Sequence, residues 1–324
     1  MPERALRGAL VKLVSSRRLF RLSMVGARVA RPFCAAFRKV PGYGARLEAM
    51  LRLAPTQLPP RDATEGPGTF AATAPKRGRV ALLVGCVQSV VRPQINAATI
   101  RVANALGYDV VLAKGEECCG SLAHHMGHEA TGHAQARRTI DAWMAEVEGA
   151  GLDAIVISAS GCGATIKDYA AMLADDPVYA PKAQKIAALA KDVNEFLLPH
   201  DFAPVRKSKK VIAYQSPCSL QHAQRLADAP RNLLRKVGFA VRDIPEGHLC
   251  CGSAGVYNIL QPETGDGLRM RKLAAISKVK PDMIATANVG CLTQLALESK
   301  IPIAHAVEYV DWACGGAAPF EGMG

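Results

Sequence analysis

The sequence predicts an α/β protein that contains two tandem copies of one domain. Two observations predict this class: short β-rich runs alternate with helical stretches, and the same order of cysteines occurs in both halves of the chain. Strands that alternate with helices form parallel sheets wound by right-handed crossovers. We therefore expect two domains with parallel sheets flanked by helices, preceded by a basic helical N-terminal segment.

Composition divides the 324 residues into five segments. Residues 1–53 are rich in Arg, with Leu, Val and Phe at roughly helical spacing, and predict helices that bind a membrane surface or a partner and lie outside the core; a transit peptide is the alternative. Residues 54–79 are rich in Pro, Gly and Thr and predict a linker. The first repeat covers residues 80–200, the second covers residues 201–316, and residues 317–324 predict a flexible tail.

The net charge of +12 is confined to the start of the chain. The first 80 residues hold 16 Lys and Arg against 4 Asp and Glu, whereas residues 81–324 hold 24 of each kind. A neutral body argues against a nucleic-acid partner. The sequence has no apolar run long enough for a secretion signal or a membrane span. We therefore expect a cytoplasmic protein, with peripheral contact at the inner membrane as a further expectation.

Each repeat begins with a strand predicted from a run of buried-type residues. The first repeat contains VALLVG, YDVVLA and AIVISAS, and the second contains VIAYQS, FAVRDI, MIATAN and IPIAHA. Between these runs lie helical stretches, two of which are closed by Gly107 and Gly238. The order of elements is thus the same in both halves.

The cysteines measure the duplication directly. Eight of the ten form two matching sets, namely Cys86, Cys118, Cys119 and Cys162 in the first half and Cys218, Cys250, Cys251 and Cys291 in the second. Corresponding members are offset by 132, 132, 132 and 129 residues, and GYDVVLAKGEECCG aligns with GFAVRDIPEGHLCCG. Cys34 and Cys314 fall outside the pattern, so we assign them no role.

All eight repeated cysteines follow predicted strand ends, where open α/β sheets bind their ligands. Adjacent cysteines pair with each other only through a strained ring, so disulfides explain the CC pairs poorly. Four thiolates suit an iron–sulfur cluster or a zinc ion, but short zinc motifs separate their ligands by two or more residues. We therefore predict all eight as cofactor and metal ligands, with iron–sulfur favoured over zinc and over free buried thiols. No catalytic residue is predicted.

The histidines are weaker candidates for function. Four of them follow the first CCG and have no counterparts in the second repeat, so we interpret them as surface or helix-start residues: His124, His125, His128 and His133. His222 and His248 lie beside predicted ligands and are better candidates for contacts around a bound group. The sequence has no Gly-rich phosphate loop, Ser/His/Asp set or flavin fingerprint.

With these motifs placed, the sequence resembles the CCG, or cysteine-rich, domain proteins. These include iron–sulfur subunits of heterodisulfide reductases, of lactate utilisation and of glycerol-3-phosphate dehydrogenase, and the resemblance is greatest to the glycolate oxidase iron–sulfur subunits. ALLVGCVQSVVRPQINAATIRV, SPCSLQHAQRL and HLCCGSAGVYNILQP carry it, and it extends from about Pro2 to Trp312.

The resemblance implies an electron-transfer subunit with one or two [4Fe–4S] clusters, zinc being the alternative in one half. Such a subunit works beside a flavin-containing 2-hydroxy acid dehydrogenase subunit and passes electrons toward the respiratory chain. The resemblance leaves open the iron–sulfur subunit of a lactate, glycerol-3-phosphate or heterodisulfide oxidoreductase. A non-redox, zinc-stabilised scaffold is the remaining alternative.

The sequence departs from the family pattern in two places. Family members usually begin with a ferredoxin-like domain that has two C-x2-C-x2-C-x3-C-P runs, and no such run occurs here. We therefore expect the ferredoxin-like part to be truncated, lost or supplied as a separate segment, and the isolated chain to be inactive. In addition, Ala159 and Asn288 stand where heterodisulfide reductases carry a further cysteine, which leaves four ligands per half.

Overall fold

Two sheets form the body of the protein in the computed structural model, which describes residues 2–323. The strands are β1 (Gly68–Phe70), β2 (Gly78–Leu82), β3 (Tyr108–Leu112), β4 (Ala154–Ile157), β5 (Ala190–Asp192), β6 (Val211–Gln215), β7 (Ala240–Asp243), β8 (Met283–Thr286) and β9 (Ile303–His305). The first sheet has the order β1-β3-β2-β4-β5 and the second has the order β7-β6-β8-β9. Except for β1, the strand pairs are parallel, so the duplication predicted from the cysteines is confirmed in the topology.

Helices precede the first sheet and flank both sheets. They are α1 (Pro2–Ser15), α2 (Arg17–Ala30), α3 (Cys34–Phe37), α4 (Gly44–Leu53), α5 (Gln88–Val91), α6 (Gln94–Ala105), α7 (Ser121–His125), α8 (Glu129–Glu148), α9 (Ser160–Lys167), α10 (Tyr169–Met172), α11 (Ala180–Leu189), α12 (Val193–Leu197), α13 (Ala229–Lys236), α14 (Tyr257–Leu260), α15 (Pro262–Lys278), α16 (Val289–Ala296) and α17 (Ala306–Ala313). Short 3₁₀ turns lie at Arg31–Phe33 and Ala63–Glu65, and a π turn lies at Ser219–Ala223. No helix in residues 2–323 is long and apolar enough to cross a membrane.

The central strands are largely apolar because both faces of each sheet are covered. Every residue of β4 and of β8 is buried. One hydrophobic cluster includes Leu82 of the first sheet and Ile212 of the second, so the two domains share part of their core. An ion pair of 2.6 Å between Arg101 in α6 and Asp311 in α17 spans the same interface.

Strand β1 lies within the stretch predicted as a linker. Its three residues pair antiparallel with β3, so the first sheet is not wholly parallel. The run GTF is too short to show a strand period, and pairing with β3, rather than local pattern, defines it. At the other end of the chain, in the stretch predicted as a flexible tail, Phe320 packs against the shared core and Met323 is buried in it.

The basic N-terminal segment is helical, as predicted, but part of it belongs to the core. Leu10 and Val11 of α1 are buried in a cluster with Met126 of the first domain and Val256 of the second. The prediction that the segment lies outside the core is therefore wrong for α1. Its apolar residues form a stripe that fills the gap between the two domains, beside both CCG loops.

Candidate thiol sites

The eight repeated cysteines lie at the carboxyl ends of the strands, on the loops that follow them. Cys86 follows β2, the pair Cys118 and Cys119 follows β3, and Cys162 lies in the first turn of α9 after β4. The second set follows β6, β7 and β8 in the same way. The strand order reverses between β2 and β4 in the first sheet and between β6 and β8 in the second. Such a switch point opens a crevice for ligands.

The first set of thiols is joined by short contacts. The Cys118 and Cys86 sulfurs are 3.5 Å apart, and hydrogen bonds also link Cys119 to Cys118 and to Cys162. Hydrogen bonds from Cys119 and Cys86 lower the pKa of Cys118 well below its ordinary value, whereas the same contacts and burial raise the pKa of Cys86. Among Cys86, Cys118 and Cys119, Cys118 is thus the thiol whose pKa is lowered.

The second set has the same arrangement. The Cys251 and Cys291 sulfurs are 3.0 Å apart, and Cys250 is hydrogen-bonded to Cys218 and Cys251. These two bonds lower the pKa of Cys250 far below its ordinary value, and the Gly252 N–H donates to its sulfur at 3.3 Å. In both halves the pKa of the first cysteine of the CC pair is lowered and that of the second is raised. All ten cysteines of the chain are free of disulfides.

The glycine of each CCG is required by its backbone. Gly120 and Gly252 have φ values of +82° and +89°, in the left-handed region that disfavours side chains. A Cβ on either would collide with a helix backbone, at the carbonyl of Gly132 in α8 or of Gly265 in α15. The glycines therefore let the long helix of each domain pack directly against the paired cysteines.

A charged pair from distant parts of the chain lies beside the first set. The buried carboxylate of Glu116, two residues before Cys118, accepts hydrogen bonds from Arg17 of α2 at 2.8 Å and from the Val84 N–H at 3.0 Å. Burial raises the pKa of Glu116 to about 7. The Ser15 hydroxyl, at the end of α1, lies close to Cys118 and helps to lower its pKa. The N-terminal helices therefore supply polar groups to the first site.

Lys272 of α15 places a cation at the second set. Its side chain is buried, and its ammonium donates to the carbonyls of Glu246 and Gly247 at 3.1 and 3.2 Å, in the loop before the CC pair. Burial lowers the pKa of Lys272, and electrostatic interaction with the neighbouring cysteines, Cys251 first, opposes this shift. A buried ammonium next to thiolates compensates negative charge at the site.

The two sites are connected by hydrogen bonds across the domain interface. Asn288 donates to the Ser160 hydroxyl at 2.9 Å, and the hydroxyls of Ser160 and Ser219 are 2.8 Å apart. The same Asn288 caps α16 by accepting the backbone N–H of Gly290 and of Cys291. The Asn288 side chain thus caps the helix that carries Cys291 and also contacts Ser160, two residues before Cys162.

His124 and His305 occupy different environments in the structure. His124 stacks on His133 at 5.9 Å between ring centroids, and no hydrogen bond in residues 2–323 joins a predicted histidine to a thiol. His305, which the sequence did not single out, is fully buried at the start of α17, where its Nδ1 accepts the Val307 N–H. Burial lowers the pKa of His305 to about 4. Its only sequence signal is the capping pattern with Glu308 three residues later.

The fold and the two thiol sets define a duplicated cysteine-rich protein. The family model described as CCG, cysteine-rich domain, matches residues 80–167 and 212–296. The glycolate oxidase iron–sulfur subunit of Escherichia coli (strain K12) is 39% identical over 97% of this chain and 72% of its own length. The chain therefore belongs to the cysteine-rich domain family, in the group that contains the glycolate oxidase iron–sulfur subunits.

Two further relatives extend this comparison. The probable glycolate oxidase iron–sulfur subunit of Bacillus subtilis (strain 168) is 31% identical over 80% of this chain and 58% of its own length. Lactate utilization protein A of Bacillus licheniformis is 26% identical over 67% of this chain and 90% of its own length. The chain thus spans about three fifths to nine tenths of the relatives that it matches.

Proposed function

We propose that this chain is the iron–sulfur electron-transfer subunit of a complex that oxidises glycolate or a related 2-hydroxy acid. One observation carries the proposal: two matched sets of four thiols lie at equivalent strand ends, in a chain 39% identical to a glycolate oxidase iron–sulfur subunit. Soft thiolate ligands without a catalytic acid or base suit the transfer of electrons rather than substrate chemistry.

Each set of cysteines would hold one [4Fe–4S] cluster, with Cys86, Cys118, Cys119 and Cys162 in the first and Cys218, Cys250, Cys251 and Cys291 in the second. A bound cluster accepts and releases single electrons. The thiols contact one another pairwise, and in residues 2–323 no three His, Cys, Asp or Glu side chains converge on a single ion. The adjacency of the two cysteines in each CC pair supports ligands to different irons of one cluster over ligands to one zinc ion, because short zinc motifs separate their ligands by two or more residues.

The residues around the thiols would set the properties of each site. The cations Arg17 and Lys272 compensate the charge of the thiolates, and the Gly252 N–H donates to the Cys250 sulfur. Positive charge and hydrogen bonds to sulfur raise the reduction potential of an iron–sulfur site, whereas exclusion of water lowers it. The Ser160–Asn288 hydrogen bond gives the two sites a short polar connection.

A flavin-containing subunit would carry out the oxidation, and a ferredoxin-like segment would relay the electrons. The described residues contain no disulfide, which supports a reducing, cytoplasmic setting for this complex. We expect the purified chain alone to turn over neither glycolate nor lactate. Lactate is the second candidate substrate, because the similarity extends to a lactate utilization protein.

Anaerobic purification followed by analysis of iron, acid-labile sulfide and zinc tests the proposal. Two four-iron clusters predict about eight iron and eight sulfide per chain, with a broad visible absorption that bleaches on reduction. Protein that contains zinc without sulfide, and no visible absorption after reconstitution with iron and sulfide, would show that the chain is a scaffold.

A further inference from the structure

Two of the four arginines in helix α2 face the protein. Arg17 pairs with the buried Glu116 at 2.8 Å, and Arg21 pairs with Glu65 at 2.5 Å. Immediately after the helix, Arg31 donates to the Ala54 carbonyl at 3.2 Å. A surface helix ordinarily exposes its charges, so the inward position of these arginines is unusual.

Phe20 of the same helix is buried in the shared core, but most of its other large apolar residues face solvent. Leu22 is 68% exposed, Val29 is 71% exposed, and Phe33 in the following turn is 64% exposed. Among residues 2–323, seven of the eleven exposed large hydrophobic side chains lie on this outward face, which is formed by Leu19, Leu22, Val25, Val29, Phe33, Phe37 and Val40. A contiguous apolar surface of this kind marks a place of contact with another molecule.

The outward face contains a shallow groove of about 480 Å³. Small residues, among them Gly26 and Ala30, line it together with the rings of Phe33 and Phe37. The groove is open to solvent along its length and its lining is almost wholly apolar. Flexible hydrocarbon chains fill such an open, irregular surface without matching its shape.

The charged residues within this segment have one sign. Residues 16–47 contain no Asp or Glu, whereas Arg18, Arg28 and Lys39 are exposed beside the apolar side chains. Protein interfaces have polar rims that pair charges of both signs. An anionic bilayer instead presents one continuous negative surface over an apolar interior, and a basic amphipathic face matches it.

We propose that the outward face of residues 19–40 lies in the surface of an anionic bilayer. The apolar side chains enter the boundary between headgroups and acyl chains, and Arg18, Arg28 and Lys39 contact lipid phosphates. The inward arginines fix α2 to the protein, so the face docks as a rigid surface. The proposal deepens the proposed function by giving the complex a membrane contact, but vesicle binding and iron content are measured separately, so either can fail alone.

Sedimentation with vesicles tests the proposal on the full-length, iron-loaded chain. The vesicles contain phosphatidylcholine with one quarter phosphatidylglycerol, and pure phosphatidylcholine is the comparison. We expect binding to the anionic vesicles that weakens as salt is raised, because screening reduces the attraction to phosphate. The double variant with Arg18→Gln and Arg28→Gln should likewise weaken binding to the anionic vesicles.

The matched variants are Val29→Asp on the proposed face and Val205→Asp elsewhere, since both valines are 71% exposed. We expect Val29→Asp to weaken binding by about tenfold or more, because a carboxylate is costly at the membrane boundary, and Val205→Asp to leave it unchanged. Equal iron content and melting temperature in all variants will show that each is folded.

Three results would overturn the lipid assignment. The first is an absence of binding to anionic vesicles, or binding that Val29→Asp and Val205→Asp affect equally. The second is self-association without vesicle binding, detected by analytical ultracentrifugation and abolished by Val29→Asp, which would assign the face to a second copy of the chain. Tight binding to an acidic protein with no affinity for vesicles would likewise assign it to a protein partner.

Discussion

The two thiol sets occupy equivalent positions on the same scaffold but differ in how they are covered. In the first set Cys86, Cys118 and Cys119 are all buried, whereas in the second Cys218 is exposed and Cys250 is half-buried. Cys86 and Cys218 are exact counterparts in the repeat, offset by 132 residues. Duplication therefore fixes where the ligands lie, while their access to solvent depends on what packs over each repeat.

The cover of the first set comes from outside the repeat. Ser15 and Arg17 reach it from the N-terminal helices, whereas the second set takes its cation, Lys272, from its own domain. The first site therefore depends on a segment that has no equivalent in the second half. Loss of that segment would make the two sites more alike.

The largest expected effect is the loss of iron from one set of thiols at a time. Cys118→Ser should remove the iron of the first set and Cys250→Ser that of the second, so each variant keeps about half of the iron. Quantification of iron and sulfide in each variant checks this, with Cys314→Ser as the control outside the repeat. If the double variant retained the full iron content, the ligand assignment would be wrong.

The difference in burial between the two sets should change how fast their thiols are alkylated. In iron-free protein we expect Cys250 to be alkylated about tenfold or more faster than Cys118, because both have a lowered pKa but only Cys250 is accessible. Mass spectrometry after timed iodoacetamide labelling measures the two rates. Equal rates would mean that the N-terminal helices do not seal the first site.

Removal of Arg17 or Lys272 should change the reduction potential of the neighbouring site. Arg17→Met should lower the reduction potential of the first site and Lys272→Met that of the second, because each removes a positive charge that stabilises the reduced state. An ion-pair energy of about 2 kcal/mol corresponds to a shift on the order of 100 mV per electron. Redox titration followed by electron paramagnetic resonance measures both sites, and Lys278→Met, at the far end of α15, is the control for Lys272→Met.

The smallest expected effect concerns α17, which packs against the first domain although it belongs to the second. Burial raises the pKa of Glu308 to about 7, above its value of about 4.3 in an unfolded chain. The folded protein thus holds this proton more tightly, so the contribution of Glu308 to stability is complete below pH 4 and is lost as pH rises through about 7.

Glu308→Gln should remove this dependence. Between pH 5 and pH 8 we expect the variant to gain about 1 to 2 kcal/mol in free energy of unfolding relative to the parent chain. Urea denaturation across this pH range measures the difference. The opposite titration of His305, whose pKa is lowered by burial, is common to both proteins and cancels in the comparison.

The features that sequence could predict are those with a local or repeated signal. The cysteines recur at a fixed offset, and the strands before them are continuous apolar runs, so fold and duplication followed directly. The contact between Arg17 and Glu116 joins residues 99 positions apart, and the one between Ser160 and Asn288 joins residues 128 apart. Tertiary packing alone determines such contacts, so no periodicity could reveal them.

The orientation of α2 shows the same limit. Its sequence has Leu, Val and Arg at helical spacing, and this pattern ordinarily predicts that the apolar side is buried. Instead, Arg17 and Arg21 face the protein because they form ion pairs with Glu116 and Glu65. Helicity was therefore predictable from the segment itself, whereas the direction of its faces depended on acidic residues far along the chain.

Strand β1 has a consequence for how the molecule behaves at high concentration. It covers the edge of the first sheet at β3, whereas β7, the counterpart of β3, has no further strand beside it in residues 2–323. An uncovered edge invites a strand of another molecule to pair with it, which leads to fibres or precipitates. The edge at β7 is only four residues long and carries Arg242 and Asp243, so its brevity and charges protect the second domain against intermolecular strand pairing.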